Sequence, residues 1–265
     1  MNTGEALILG LVQGLTEFLP ISSSGHLVLA KHFLGGVRQP GILFEVLLHL
    51  GTLVAVLLYF KKDIISILQA LLPSSGNNDK NIIYRRKLAL GVVIGTIPTV
   101  IIALLFKDFF ESIFNSVKIV SMMLIVTGIL LYLSDRFSEG KKSGVPIKDA
   151  IIIGIVQGMA IIPGISRSGS TIATGIFRGV KSENAARFSF LLSIPAILGA
   201  VVLKLSETGN FPAEDIFPYL IGVATAAVSG FLSIKVLMRI VSGKKLRFFA
   251  YYCWAIGILS LVFNL

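Results

Sequence analysis

"TEFLPISSSGH" (Thr16–His26) decides how this chain is read. Between the apolar runs "ALILGLVQGL" (6–15) and "LVLAKHFLGG" (27–36) it sets a carboxylate, three serines, a histidine, a proline and a glycine. Pro20 and Gly25 are set to interrupt helical hydrogen bonding between two apolar runs. A break there must recover its hydrogen bonds from protein or trapped water. Residues 3–34 are therefore expected to form a re-entrant helix–loop–helix, entering and leaving on one side, rather than one kinked spanning helix.

The rest of the chain fits a membrane setting. Of 265 residues, 54% are hydrophobic and 14% charged, against about 25% charged in ordinary soluble domains. The fold class expected is an all-α polytopic membrane protein. Six segments are long and apolar enough to span a bilayer, near 43–60, 87–107, 117–134, 185–204, 214–236 and 247–264. The first segment does not read as a signal peptide, because it lacks a basic start and contains Glu5 and Glu17. Cys253, the single cysteine, excludes an intramolecular disulfide, and the spacings of zinc sites are absent.

A net charge of +10 would suggest nucleic acid in a soluble protein, but here it is a topology signal. Lys61, Lys62, Arg136, Lys141, Lys142, Arg178, Lys244 and Arg247 are among the many basic residues on one face. Lys31, Arg38, Lys107, Lys118 and Lys204 fall on the other. The positive-inside rule puts the richer face in the cytoplasm and both termini outside. No nucleic-acid partner is expected.

A second broken segment, 148–178, repeats the first. "ALILGLVQGLTEFLPISSSGHLVLA" (6–30) aligns without gaps to "AIIIGIVQGMAIIPGISRSGSTIAT" (150–174). Identical positions are Ala6, Ile8, Gly10, Val12, Gln13, Gly14, Ile21, Ser22, Ser24 and Gly25. One integral-membrane domain, 1–265, then divides into repeats of about 1–143 and 144–265. Each holds one re-entrant element and three spans. Three is odd, so the halves insert with opposite topology, an inverted repeat whose broken helices meet near the midplane. Each second half-helix points its N-terminus at that place. Free amides and a partial positive charge there suit an anion such as phosphate or pyrophosphate.

The two tips differ where a site needs asymmetry. The first carries Glu17, Ser23 and His26; the second carries Ile161, Arg167 and Ser170 at matching positions. Arg167 can grip phosphate with a planar fork. Gln13, Ser22, Ser24, Gly25, Ser166, Ser168, Gly169 and Thr171 are candidates for binding the anion. Glu17 is a candidate general base or metal ligand, His26 a general acid, base or nucleophile, and Ser23 a nucleophile. An intramembrane charge is costly, which marks Glu17 and Arg167 as functional. Glu45 and His49 share one helical face and read either as support for site residues or, the reading preferred, as only an interhelical contact.

These motifs, taken in order, resemble the undecaprenyl-pyrophosphate phosphatases of the bacitracin-resistance family over essentially the whole chain. The resemblance rests on Gln13-Gly14-Leu15-Thr16-Glu17, on Ser22-Ser23-Ser24-Gly25-His26, and on Pro163-Gly164-Ile165-Ser166-Arg167-Ser168 followed by Thr171. It implies hydrolysis of undecaprenyl pyrophosphate to the monophosphate and inorganic phosphate at the outer face of the bacterial inner membrane, recycling the lipid carrier of cell-wall synthesis. It also implies a divalent cation, Mg²⁺ or Ca²⁺. Many members carry glutamate where this chain has Gln13, which weakens any two-carboxylate metal site here. Attack by Ser23 and attack by metal-bound water both remain open. A second reading, a transporter or flippase of an anionic lipid, follows from the inverted repeat. The oligomeric state is open, a homodimer included.

Overall fold

The computed structural model describes residues 1–33, 42–72, 79–114, 116–137, 140–207 and 216–263. Arg38, counted above on the less basic face, lies outside the described residues. The helices in chain order are α1 (Thr3–Phe18), α2 (Ser23–Phe33), α3 (Ile42–Tyr59), α4 (Lys61–Leu71), α5 (Lys80–Leu105) and α6 (Lys107–Ile113). They continue as α7 (Val117–Arg136), α8 (Ile147–Met159), α9 (Arg167–Phe177), α10 (Ser182–Glu207), α11 (Ile216–Ser242) and α12 (Arg247–Val262). Among the described residues the only extended pairing is a single parallel bridge between Lys142 and Val180.

The protein is a multi-pass membrane protein. Helices α5, α7, α10 and α11 are each long and apolar enough to cross a membrane. Helices α3 and α4 pass the same test together but bend by 72° at Phe60. The span expected near 43–60 thus continues as a second, strongly amphipathic helix. Its apolar residues Ile65, Leu68 and Leu71 stay exposed. Helix α12 is apolar but only 16 residues long. Exposed Leu90, Val93, Ile97 and Leu104 line one side of α5, as expected of a surface solvated by lipid.

Both segments expected to break do so. Helix α1 starts with a capping box: the Asn2 side chain accepts from the Glu5 amide at 2.8 Å, and Glu5 accepts from the Asn2 amide at 3.0 Å. It ends at Phe18, ahead of Pro20, and α2 begins at Ser23. Helix α8 ends at Met159, and α9 begins at Arg167 beyond Pro163 and Gly164.

Small residues place these broken helices. Helix α1 crosses α11 where a methyl group on Gly10 would come within 2.5 Å of the Gly222 carbonyl oxygen, and one on Gly14 would strike Ser229 and Ala226. Helix α8 crosses α5 in the same way, with Gly154 against the Gly95 carbonyl and Gly158 against Ile102. Such crossings let backbones approach closely where the hydrophobic effect gives no drive. The glycines shared between the repeats therefore do the same packing job in each half. Below the first crossing, Phe18 packs edge-on against Phe190 at 5.7 Å, and Phe190 contacts Phe60 at 5.6 Å. That buried aromatic cluster fixes the end of α1, one residue past Glu17.

At the far end of α8 a polar clasp closes the second element. Asp149, 2% exposed, accepts from Lys142 Nζ and Arg178 Nε, each at 2.7 Å. Burial alone would raise its carboxyl pKa, but these hydrogen bonds prevail and hold it below the usual carboxylate range.

Candidate active site

The two broken helices meet tip to tip. A methyl group on Gly25 would lie 3.2 Å from the Gly164 Cα, and one on Gly169 would lie 3.1 Å from Pro20 Cβ. Ser168 Oγ also donates to the Leu19 carbonyl at 3.4 Å.

Each tip is built by its own serines. Ser22 Oγ accepts from the Gly25 amide at 3.3 Å and lies 3.3 Å from Ser24 Oγ. In the second half Ser166 Oγ accepts from the Gly169 amide at 3.0 Å and lies 3.2 Å from Ser168 Oγ. Ser22 and Ser166 are thus N-caps, each satisfying one orphan amide of its helix. The amides of the first two residues, Ser23 and Ser24 in α2 and Arg167 and Ser168 in α9, lie beyond the reach of an intrahelical ladder. Ser22 adopts φ +70°, a left-handed conformation rare outside glycine. At the second tip Gly164 (φ +93°) makes the turn. Thr127 of α7 braces it, donating to the Gly164 carbonyl and accepting from the Ser166 amide, both at 3.0 Å.

Between the tips Glu17 joins the two halves. Its Oε1 receives Arg167 Nη2 in a direct ion pair. Its Oε2 receives Ser23 Oγ at 2.6 Å and Gln13 Nε2 at 3.0 Å. The side chains of Glu17 and Arg167 are only 6% and 17% exposed, so the pair is shielded from the screening that weakens surface ion pairs. Gln13 and Glu17 lie one turn apart on the buried face of α1, as helical spacing requires. Gln13, Glu17, Ser23 and Arg167 therefore form one hydrogen-bonded group.

Other expected residues stand elsewhere. His26 Nδ1 lies 2.8 Å from the Ser22 carbonyl oxygen, and its Nε2 lies 2.8 Å from Tyr252 Oη of α12. A carbonyl can only accept, so Nδ1 carries the proton and Nε2 accepts from the tyrosine. His26 thus meets α12 through Tyr252. Thr171 Oγ1 donates to the Arg167 carbonyl at 2.7 Å and meets Ser189 Oγ at 2.6 Å, sealed between α9 and α10. His49, expected to make only an interhelical contact, does cross to another helix, but lands on Gln13 at 3.0 Å, with Glu17 Oε2 at 3.8 Å. A histidine inside an apolar span was the signal that could have placed it.

Among the described residues no three His, Cys, Asp or Glu side chains gather to hold a metal ion. Gln13 Oε1, however, is buried without a hydrogen-bond partner, one amide away from Glu17. One carboxylate and one amide oxygen suit a hard cation that takes most of its ligands from phosphate.

Residues 6–259 match the family described as bacitracin resistance protein BacA. The chain belongs to this family. It is 48% identical over 259 residues to the undecaprenyl-diphosphatase of Syntrophotalea carbinolica, covering 97% of each chain. To the undecaprenyl-diphosphatase of Carboxydothermus hydrogenoformans it is 44% identical over 268 residues, covering 99% of this chain and 97% of the relative. To undecaprenyl-diphosphatase 4 of Bacillus thuringiensis it is 43% identical over 265 residues, covering 98% and 97%. These relatives bear the name of a phosphatase, which agrees with a site built from a serine, a carboxylate and an arginine.

Proposed function

We propose that this protein hydrolyses undecaprenyl pyrophosphate to undecaprenyl phosphate and inorganic phosphate. The observation that carries the reading is the Ser23–Glu17–Arg167 group at the meeting point of two helix N-termini. The names of the relatives identify the substrate class.

The architecture proposed is an inverted repeat of two re-entrant elements and six transmembrane helices, with α12 as the shortest span. The paired glycine crossings of α1 on α11 and α8 on α5 support it. The basic residues put the α8 clasp in the cytoplasm and both termini outside, in a bacterial inner membrane.

In the proposed chemistry the diphosphate head sits against the free amides of α2 and α9. Arg167 turns from Glu17 to the phosphoryl oxygens and neutralises charge developing there. Ser23 Oγ attacks the terminal phosphorus and passes its proton to Glu17, with which it already shares a 2.6 Å hydrogen bond. The anhydride P–O bond breaks, and undecaprenyl phosphate leaves. Glu17 hands the serine proton to the departing phosphate oxygen; water, deprotonated by the freed carboxylate, then cleaves the phosphoserine, and Glu17 returns that proton to Ser23 Oγ as phosphate leaves. His26 holds the tip through the Ser22 carbonyl. A Mg²⁺ or Ca²⁺ ion arriving on the diphosphate would be held by Glu17 and would neutralise phosphate charge.

The test is phosphate release from a polyprenyl diphosphate by purified protein in detergent, with and without Mg²⁺ or Ca²⁺. Release that is lost in Arg167→Ala is the expected result. No release in either condition, together with lipid phosphate crossing liposomes intact, would establish the transporter or flippase reading instead.

A further inference from the structure

Gln13 and His49 form a unit that the reaction above does not yet use. The Gln13 amide nitrogen carries two hydrogens, and both are spent. One goes to Glu17 Oε2 at 3.0 Å, and the other points at His49 Nδ1 at 3.0 Å. The reverse amide orientation would set two bare acceptors, Gln13 Oε1 and Glu17 Oε2, face to face at that distance. Glu17 therefore fixes which end of the amide turns inward, and Nδ1 of His49 must be the acceptor, with the ring proton on Nε2. What remains is Gln13 Oε1, on a residue 0% exposed, with no partner. A buried acceptor left unpaired marks a place where a ligand's donor belongs. It lies close to the reacting atoms, because Gln13 Nε2 and Ser23 Oγ share the same oxygen of Glu17.

We propose that His49 is a positioning residue, which locks the Gln13 amide so that its Oε1 accepts an O–H of the water that cleaves the phosphoserine. The proposal rests on the Ser23 mechanism above. Only the Gln13 carbonyl is offered to the site, so the water receives an acceptor beside Glu17 and is held for in-line attack on phosphorus. Substituents at position 49 act through the amide and do not touch the substrate.

The experiment compares His49→Leu, His49→Asn, Gln13→Ala and the double variant Gln13→Ala/His49→Leu. The readouts are steady-state kinetics and trapping of phosphoserine after mixing with polyprenyl diphosphate. His49→Leu should lower kcat about tenfold with KM nearly unchanged, and phosphoserine should accumulate because its breakdown is slowed. Asparagine presents an acceptor near the position of Nδ1, so His49→Asn should stay within about threefold of the parent. The double variant should be no slower than Gln13→Ala, since a group that acts through the amide has nothing left to position. His49→Phe, with ring volume but no acceptor, serves if the leucine variant does not fold.

His49→Leu and His49→Phe both within about twofold of the parent, or effects at positions 13 and 49 that simply multiply, would overturn the proposal. A parent that hydrolyses the substrate without forming phosphoserine overturns the Ser23 mechanism instead. The kcat ordering and the non-additivity then still judge the coupling of His49 to Gln13. If the parent does not hydrolyse the substrate, calorimetric binding of a polyprenyl methylenediphosphonate by the same four variants judges that coupling. Equal affinity in all four would end it.

Discussion

The two broken helices are built alike and used differently. Each has a capping serine, a second serine two residues on, and a glycine crossing on a long helix. The second tip is held rigidly from outside, by Thr127 at the turn and by the Asp149 clasp at its base. The first has a left-handed serine at its turn and presents Glu17 hydrogen-bonded to Ser23. The second delivers one arginine. Duplication supplied a scaffold with two capped helix starts, and in the proposed mechanism divergence divided the chemistry between a braced half and a reactive half.

The largest effect should come from removing what only the braced half supplies. Arg167→Ala should cost about 10⁴-fold in kcat. Arg167→Lys, which keeps the charge but loses the planar fork, should recover part of that. The reactive half comes next, since Ser23→Ala and Glu17→Gln should each lower kcat by about 10³-fold and abolish any phosphoserine. His26→Ala should lower kcat by only about tenfold and leave phosphoserine trapping intact, because His26 supports the tip through Ser22 and Tyr252. An equal loss in His26→Ala and Ser23→Ala would place the imidazole in the chemistry and dissolve the division drawn here.

Smaller effects probe the scaffold. Asp149→Asn should destabilise the folded protein by about 2 kcal/mol, seen as a lower thermal midpoint in detergent. The carboxyl titrates lower in the folded protein than in the unfolded chain. Its contribution is therefore complete above the unfolded pKa and fades as the pH falls through the folded one. Gly14→Ala should cost more than Gly158→Ala, about 3 against about 1 kcal/mol. A methyl on the first meets the Ala226 carbonyl at 2.6 Å and the Gly230 amide at 2.8 Å, whereas one on the second meets the Ile102 side chain no closer than 2.9 Å. Smallest of all, Ser22→Gly should be neutral or gain about 1 kcal/mol, because glycine relieves the left-handed conformation while the cap is lost. Ser166 sits at φ −77°, so Ser166→Gly offers no such relief and should only destabilise.

The helical fold and the pairing of the two tips were legible because Gly, Pro and Ser interrupt an otherwise apolar chain at matching places. Glu17 and Arg167 were legible as candidates because charge is rare there. The contacts of His26 and His49 were not. His26 lies three residues after Ser23, close to the same face of α2, and only the packing of α12 brings its ring to Tyr252. His49 lies on a different helix from Gln13, and no local spacing announces a contact across 36 residues. The bend after Tyr59 was hidden for a related reason. Lys61 to Leu71 opens with three charged residues and then sets Ser66 and Gln69 among apolar groups, a pattern that a search for spanning segments passes over.

The ion pair at the centre joins residues 150 positions apart, which gives the site a history as well as a geometry. At about 5–20 residues per second, the ribosome delivers Arg167 roughly ten to thirty seconds after Glu17. Throughout that interval the first half holds a carboxylate that Gln13 and Ser23 can hydrogen-bond but whose charge has no arginine to balance it. Assembly of the catalytic centre is thus a late event in biogenesis. A chain interrupted before its second half would leave the membrane with an exposed acidic flaw by which quality control can recognise it.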